Sequence, residues 1–132
     1  MAYRLKISTA NAMLEAIATA IPSSTSILEI YSGTIPTDAD TATSGQTLLA
    51  SITLPASAWA AASSRSLAKS GTWQDASANA GSATAPTWFR LKNAADTHRI
   101  DGTCGVGSGD LSFDGAITAG QVVTVSTFTV TV

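Results

Sequence analysis

Beyond Pro22 the apolar residues of this chain recur at every second position, and that period holds to Val132. A strand sends successive side chains to opposite faces, so period two marks strands with one buried face. Parallel strands need crossover helices, and no later segment carries the three- and four-residue spacing of one. The pattern therefore predicts antiparallel strands. They run over 26–32, 47–54, 71–73, 87–92, 98–103, 111–113 and, longest of all, 121–132. Residues 56–70 fit either period, and strand is the better reading. Gly33 to Gln46 reads as a long polar loop and 75–85 as a flexible connector of small residues. Strands at even spacing with Gly, Pro and Asp turns predict an antiparallel β-sandwich or jelly roll.

One helix precedes this pattern. Ala10, Met13, Leu14, Ile17, Ala18 and Ile21 share a helical face, opposite Asn11, Glu15 and Thr19. Ser8 or Thr9 is the expected cap, and Pro22 disfavours continuation past Ala20 or Ile21. Ahead of it, Tyr3, Leu5 and Ile7 alternate with Arg4 and Lys6, as in a short strand or extended arm. The chain thus divides into an arm and helix, 1–25, and a β-sandwich domain, 26–132.

Charge excludes several functions. Charged residues are 12 % of the 132 and the formal net charge is −2, about half the usual charged fraction. Seven scattered Lys and Arg cannot displace counterions as a nucleic-acid interface must. Cys104 is the sole cysteine, so an internal disulfide is excluded, and with one histidine a His/Cys zinc site is excluded too. Residues 115–132 are uncharged, but their alternating threonines describe a strand, not a membrane span. Asn11 and Glu15 interrupt the apolar run that a signal peptide needs, so export is not expected. Polarity comes from 36 Ser and Thr instead. A surface of hydroxyls sheds water more cheaply than a charged one when it docks. With a mean hydropathy of +0.23, this points to an assembly subunit.

Chemistry-bearing motifs are thin. His98 with Asp96 or Asp101 and any serine spells a hydrolase triad, but no Gly-x-Ser-x-Gly elbow supports it. Gly105 to Asp110 looks like a phosphate loop, yet a strand follows where a helix is needed. Asp101, Asp110 and Asp114, or Asp38 and Asp40, offer calcium oxygens without a calcium-loop spacing. Cys104 lacks a neighbouring cation and reads as a small buried residue. Trp59, Trp73 and Trp88 read as core anchors. No catalytic, cofactor or metal residue is expected. The arm residues Tyr3, Arg4, Leu5, Lys6 and Ile7 are the candidate partner contacts.

Longer segments carry a resemblance. Ile30-Tyr31-Ser32-Gly33, Pro36, Ala39-Asp40, Gly45 and Leu48-Leu49 resemble the opening of a group of small tailed-bacteriophage virion proteins. Trp88-Phe89-Arg90, Arg99 to Thr103, Ser108 to Leu111, and Ala119-Gly120 before a Thr-rich strand with Phe128 continue the likeness. It spans most of residues 27–132, although Cys104 stands where another small apolar residue is usual. Small all-β phage proteins of this kind resemble jelly-roll capsid cement or decoration proteins. The resemblance implies a non-enzymatic protein at the capsid surface, made in the host cytoplasm, that binds the major capsid protein across subunit joints. A homotrimer or homodimer, without cofactor, nucleic acid or membrane, is expected. A tail, neck or baseplate component, or a carbohydrate-binding module at a fibre tip, is the alternative.

Overall fold

The structure, a computed structural model, describes residues 3–79 and 81–132. Met1 and Ala2 of the expected arm, and Ala80 of the expected connector, lie outside the described residues. The fold is mainly β, a sandwich with one N-terminal helix, α1 (Ile7–Ala20).

The strands are β1 (Ile27–Ser32), β2 (Thr47–Thr53), β3 (Ser66–Ala68), β4 (Trp73–Asp75), β5 (Trp88–Lys92), β6 (Arg99–Val106), β7 (Leu111–Phe113), β8 (Val123–Val125) and β9 (Thr129–Thr131). One sheet runs β2-β1-β5-β6-β7, and the pairs β3-β9 and β4-β8 complete the fold. Leu28, Ile30, Phe89 and Leu91 of the large sheet share a core with Trp73, Val123, Val125 and Phe128. Three rings meet there: Phe128 lies 5.6 Å from Phe89, edge-on, and 5.4 Å from Trp73.

Three expectations change. The antiparallel rule fails once, because β7 runs parallel to β6, with Cys104 opposite Leu111 and Val106 opposite Phe113. Parallel neighbours ordinarily need a crossover of a dozen residues. Here Gly107 (φ 71°) and Gly109 (φ 86°) let the chain reverse twice within a few residues. Gly109 also lies so close to Cys104 that a Cβ would sit 2.7 Å from its Cα.

The expected longest strand, 121–132, is two short strands with different partners. β8 pairs with β4, and β9 pairs with β3. Between them the side chain of Phe128 enters the core, and the chain changes sheets.

The helix ends at Ala20 as expected, but it begins at Ile7, so Ile7 belongs to the helix and not to the arm. Lys6 holds the cap position and its side chain makes no capping bond, so neither Ser8 nor Thr9 caps it. Ala10 and Leu14 are buried and α1 rests against β3. Two residues of its polar stripe reach across to the next segment: Glu15 accepts from the Ala62 N–H at 2.5 Å and Asn11 from the Arg65 N–H at 3.0 Å. Residues 62–65 turn tightly, with Ser64 and Arg65 at positive φ, and these bonds hold the turn.

Candidate functional surfaces

Strand register places two different side-chain sets on the large sheet. Leu28, Ile30, Phe89 and Leu91 point into the sandwich. The alternate positions point the other way, and Glu29, Arg90 and Asp101 stand in register across β1, β5 and β6. Arg90 grips Asp101 with two bonds, Nε to Oδ1 at 2.8 Å and Nη2 to Oδ2 at 2.7 Å. Lys92 pairs with Glu29 at 3.0 Å, and the Tyr31 hydroxyl donates to the other Glu29 oxygen at 2.8 Å. Tyr31 stacks on Trp88 with centroids 4.5 Å apart, and the Arg90 guanidinium sits 5.6 Å from the Trp88 ring centroid. Burial and the adjacent Glu29 carboxylate raise the Tyr31 pKa.

This face is also covered. Trp88 is 0 % and Arg90 3 % exposed. The 33–46 segment straps it from above. Arg99 ties the strap down, donating to the Ala39 and Asp40 carbonyls at 3.1 and 3.2 Å. Its Nε and Nη2 hold Asp96 at 2.6 and 2.9 Å, which keeps that carboxyl below the usual carboxylate range. Thr87 donates to the Gly33 carbonyl at 2.6 Å, and Gln46 bridges the Ser44 N–H and the Thr34 carbonyl within the strap. Trp88 Nε1 is buried without a protein acceptor.

The triad residues are thereby engaged elsewhere. Asp96 is held by Arg99 and Asp101 by Arg90, while His98 is exposed and its backbone N–H donates to Asn93. Among the described residues no three His, Cys, Asp or Glu side chains gather as a metal-binding group. Asp110 accepts from both the N–H and the hydroxyl of Thr103, and so fixes the glycine loop onto β6. That loop runs into β7, the strand its sequence predicts. Cys104 is buried, and burial pushes its thiol up to about 12. Trp73 and Trp88 are 0 % exposed, and Trp59 packs against the core while donating its indole N–H to the Ile21 carbonyl at 2.8 Å.

Among the described residues two open surfaces bear on docking. The first is the arm. Tyr3 is 80 % exposed, and Arg4 and Lys6 project into solvent. Leu5 is half-buried and its carbonyl accepts from the Arg65 guanidinium, so the arm is anchored at that residue. Ile7, on the first helical turn, is also exposed. The second surface is a trough of about 630 Å³ between β7 and β8, lined by Gly107, Phe113, Asp114, Val122, Thr124 and Ser126 among others. Sequence reasoning missed it, because each wall is the last strand of a separate sheet and only the fold sets them side by side.

These features define a β-sandwich whose buried charges bond to one another and whose open surfaces are a cationic arm and a trough lined by hydroxyl, apolar and Asp114 side chains. The chain matches no family model, no curated protein and no solved structure.

Proposed function

We propose that this chain is a non-enzymatic structural protein of a tailed-bacteriophage virion, a cement protein that binds across neighbouring major capsid proteins and stabilises the shell. One observation carries the reading. Several of the segments that resemble phage virion proteins meet at one feature, the strapped outer face of the large sheet, while Leu49 and Phe128 of other such segments lie in the core. Ile30–Gly33 supplies Tyr31, Trp88–Arg90 supplies the stack and the guanidinium, and Arg99–Thr103 supplies the strap's latch and the Asp101 carboxylate. Ser108–Leu111 supplies Asp110, which fastens the adjoining loop. Side chains bonded in this way brace a domain. Weak docking at each joint suffices, because contact with several subunits multiplies the effective affinity. The exposed arm residues Tyr3, Arg4 and Lys6, with Ile7 on the first helical turn, serve as contacts to a neighbouring subunit.

The test is add-back. Shells assembled without the protein are heated with and without it, and release of packaged DNA is followed. Addition is expected to raise the rupture temperature. An unchanged rupture temperature at saturating protein overturns the cement reading.

A further inference from the structure

We infer that the trough between β7 and β8 receives the N-terminal arm of a second copy of this chain, as an added strand in a head-to-tail contact. This deepens the proposed function by naming the neighbour that the arm contacts. It rests on that reading only for the arm's role as a contact element.

The trough is flanked by two strand edges. Among the described residues β7 pairs only with β6, and β8 only with β4. An unpaired edge is a template for an incoming extended segment. Apolar side chains stand at the trough and its margin. Val122 is 54 % and Val106 50 % exposed, and Phe113 lies opposite Val106 in register.

The arm matches in pattern and charge. Exposed Tyr3, Arg4 and Lys6 flank Leu5, whose carbonyl must leave the Arg65 guanidinium for the arm to dock as a strand, and Lys6 is extended (φ −64°, ψ 147°). Residues 1–6 carry two cations and no acid. Residues 100–132, within which all the trough-lining residues fall, carry Asp101, Asp110 and Asp114 and no Lys or Arg. Asp101 answers Arg90 internally, whereas Asp114 lines the trough itself. Helix stability does not explain Lys6. A cation at a helix N-terminus opposes the macrodipole, and this one caps nothing. A contact outside the chain gives that charge a use. Donor and acceptor are different surfaces, so the contact is heterologous and closes into a ring or extends as a chain.

Sedimentation velocity on the purified full chain, from about 1 µM to about 1 mM, tests this without any capsid. The wild-type mass is expected to rise with concentration and to fall back at high salt. Arg4→Glu/Lys6→Glu and, separately, Asp114→Lys are each expected to move the midpoint about tenfold or more higher. Combining the three changes is expected to recover most of that shift. Val122→Arg, at an exposed position, blocks the trough. Mixed with a chain lacking residues 1–6, it is expected to give heterodimers that grow no further. A Tyr3→Cys chain mixed with a Val122→Cys chain is expected to form a disulfide-linked pair. A wild-type chain that stays monomeric throughout, or association indifferent to these variants, overturns the inference. So does a cross-link that forms within single chains carrying both cysteines. Such failures leave the cement reading intact, since that reading is tested on shells.

Discussion

The two faces of the five-stranded sheet are both covered and are held together differently. On the inner face Leu28, Ile30, Phe89 and Leu91 are at most 2 % exposed and meet Trp73 and Phe128 across the sandwich. Their cohesion is non-directional and follows the area removed from water, roughly 25 cal/mol per Å². On the outer face Trp88 and Arg90 are as deeply buried, yet they sit among Glu29, Tyr31, Lys92 and Asp101. Cohesion there is directional and exists only while each partner has its mate. Burial alone therefore does not say how a face responds to damage. The inner face loses energy with every atom removed. The outer face fails when one partner is lost and recovers when both are.

The largest effects test this contrast. Phe89→Ala is expected to cost about 3–5 kcal/mol in urea denaturation, since it opens a cavity among rings. Arg90→Met is expected to cost a similar amount, about 3–5 kcal/mol, because Asp101 is left buried without its partner. The faces separate at the second step. Adding Asp101→Leu to Arg90→Met is expected to restore most of the loss, whereas truncating a neighbour of Phe89 only adds to its cost. If the double variant is as unstable as the single, the outer face does not depend on pairing.

Gly102 sits where the inner face leaves no room. A Cβ there would lie 2.5 Å from the Phe89 ring. Gly102→Ala is expected to cost about 1–3 kcal/mol by overpacking. Gly115, whose Cβ would meet nothing within 4 Å, is the control and is expected to tolerate alanine.

Alkaline pH compares the faces by proton release. Burial pushes the Cys104 thiol up to about 12 on the core side, and the Tyr31 phenol is raised on the strap side. An unfolded thiol ionises near pH 8.5 and an unfolded phenol near pH 10, both about the ordinary values. Above those values the unfolded chain binds fewer protons than the folded one, so stability falls as pH rises. Below them both groups are protonated in both states and the full stability remains. Cys104→Ala is expected to remove the decline that starts near pH 8.5 and to leave the one that starts near pH 10. A decline unchanged in Cys104→Ala would contradict the assignment.

The smallest effect is a gain. Ser26 is fully buried and its hydroxyl has no hydrogen-bond partner among the described residues. Ser26→Ala is expected to stabilise the chain by about 1 kcal/mol, read as a higher urea midpoint with an unchanged slope.

The architecture was largely legible because alternation reports which face is buried. The strands near 27–32, 47–53 and 88–92 followed from it; the helix followed from three- and four-residue spacing, which placed Ala10 and Leu14 in the interior but also Met13, which is 49 % exposed, and Cys104 followed from its lack of a neighbouring cation. Alternation does not report which strand lies alongside, so the parallel β6–β7 pair was hidden in the φ angles of Gly107 and Gly109. The break in 121–132 did leave a trace. Thr124 is on an even position and Thr127, Thr129 and Thr131 on odd ones. That one-residue phase shift is where buried positions pass from Val123 and Val125 to Phe128. The cover over the outer face was not legible. A polar loop such as 33–46 carries no periodicity, and its ties are mainly backbone carbonyls. The same holds for the N-terminus of α1, where Ser8 and Thr9 advertise a cap that the chain does not use.

Co-sedimentation tests the proposed role most directly. The purified protein is mixed with capsids that lack it and, separately, with isolated tails, and bound copies are counted per particle. Saturable binding to capsids at many copies per shell, and none to tails, is expected. Binding to tails alone, or at only a few copies per particle, would contradict it.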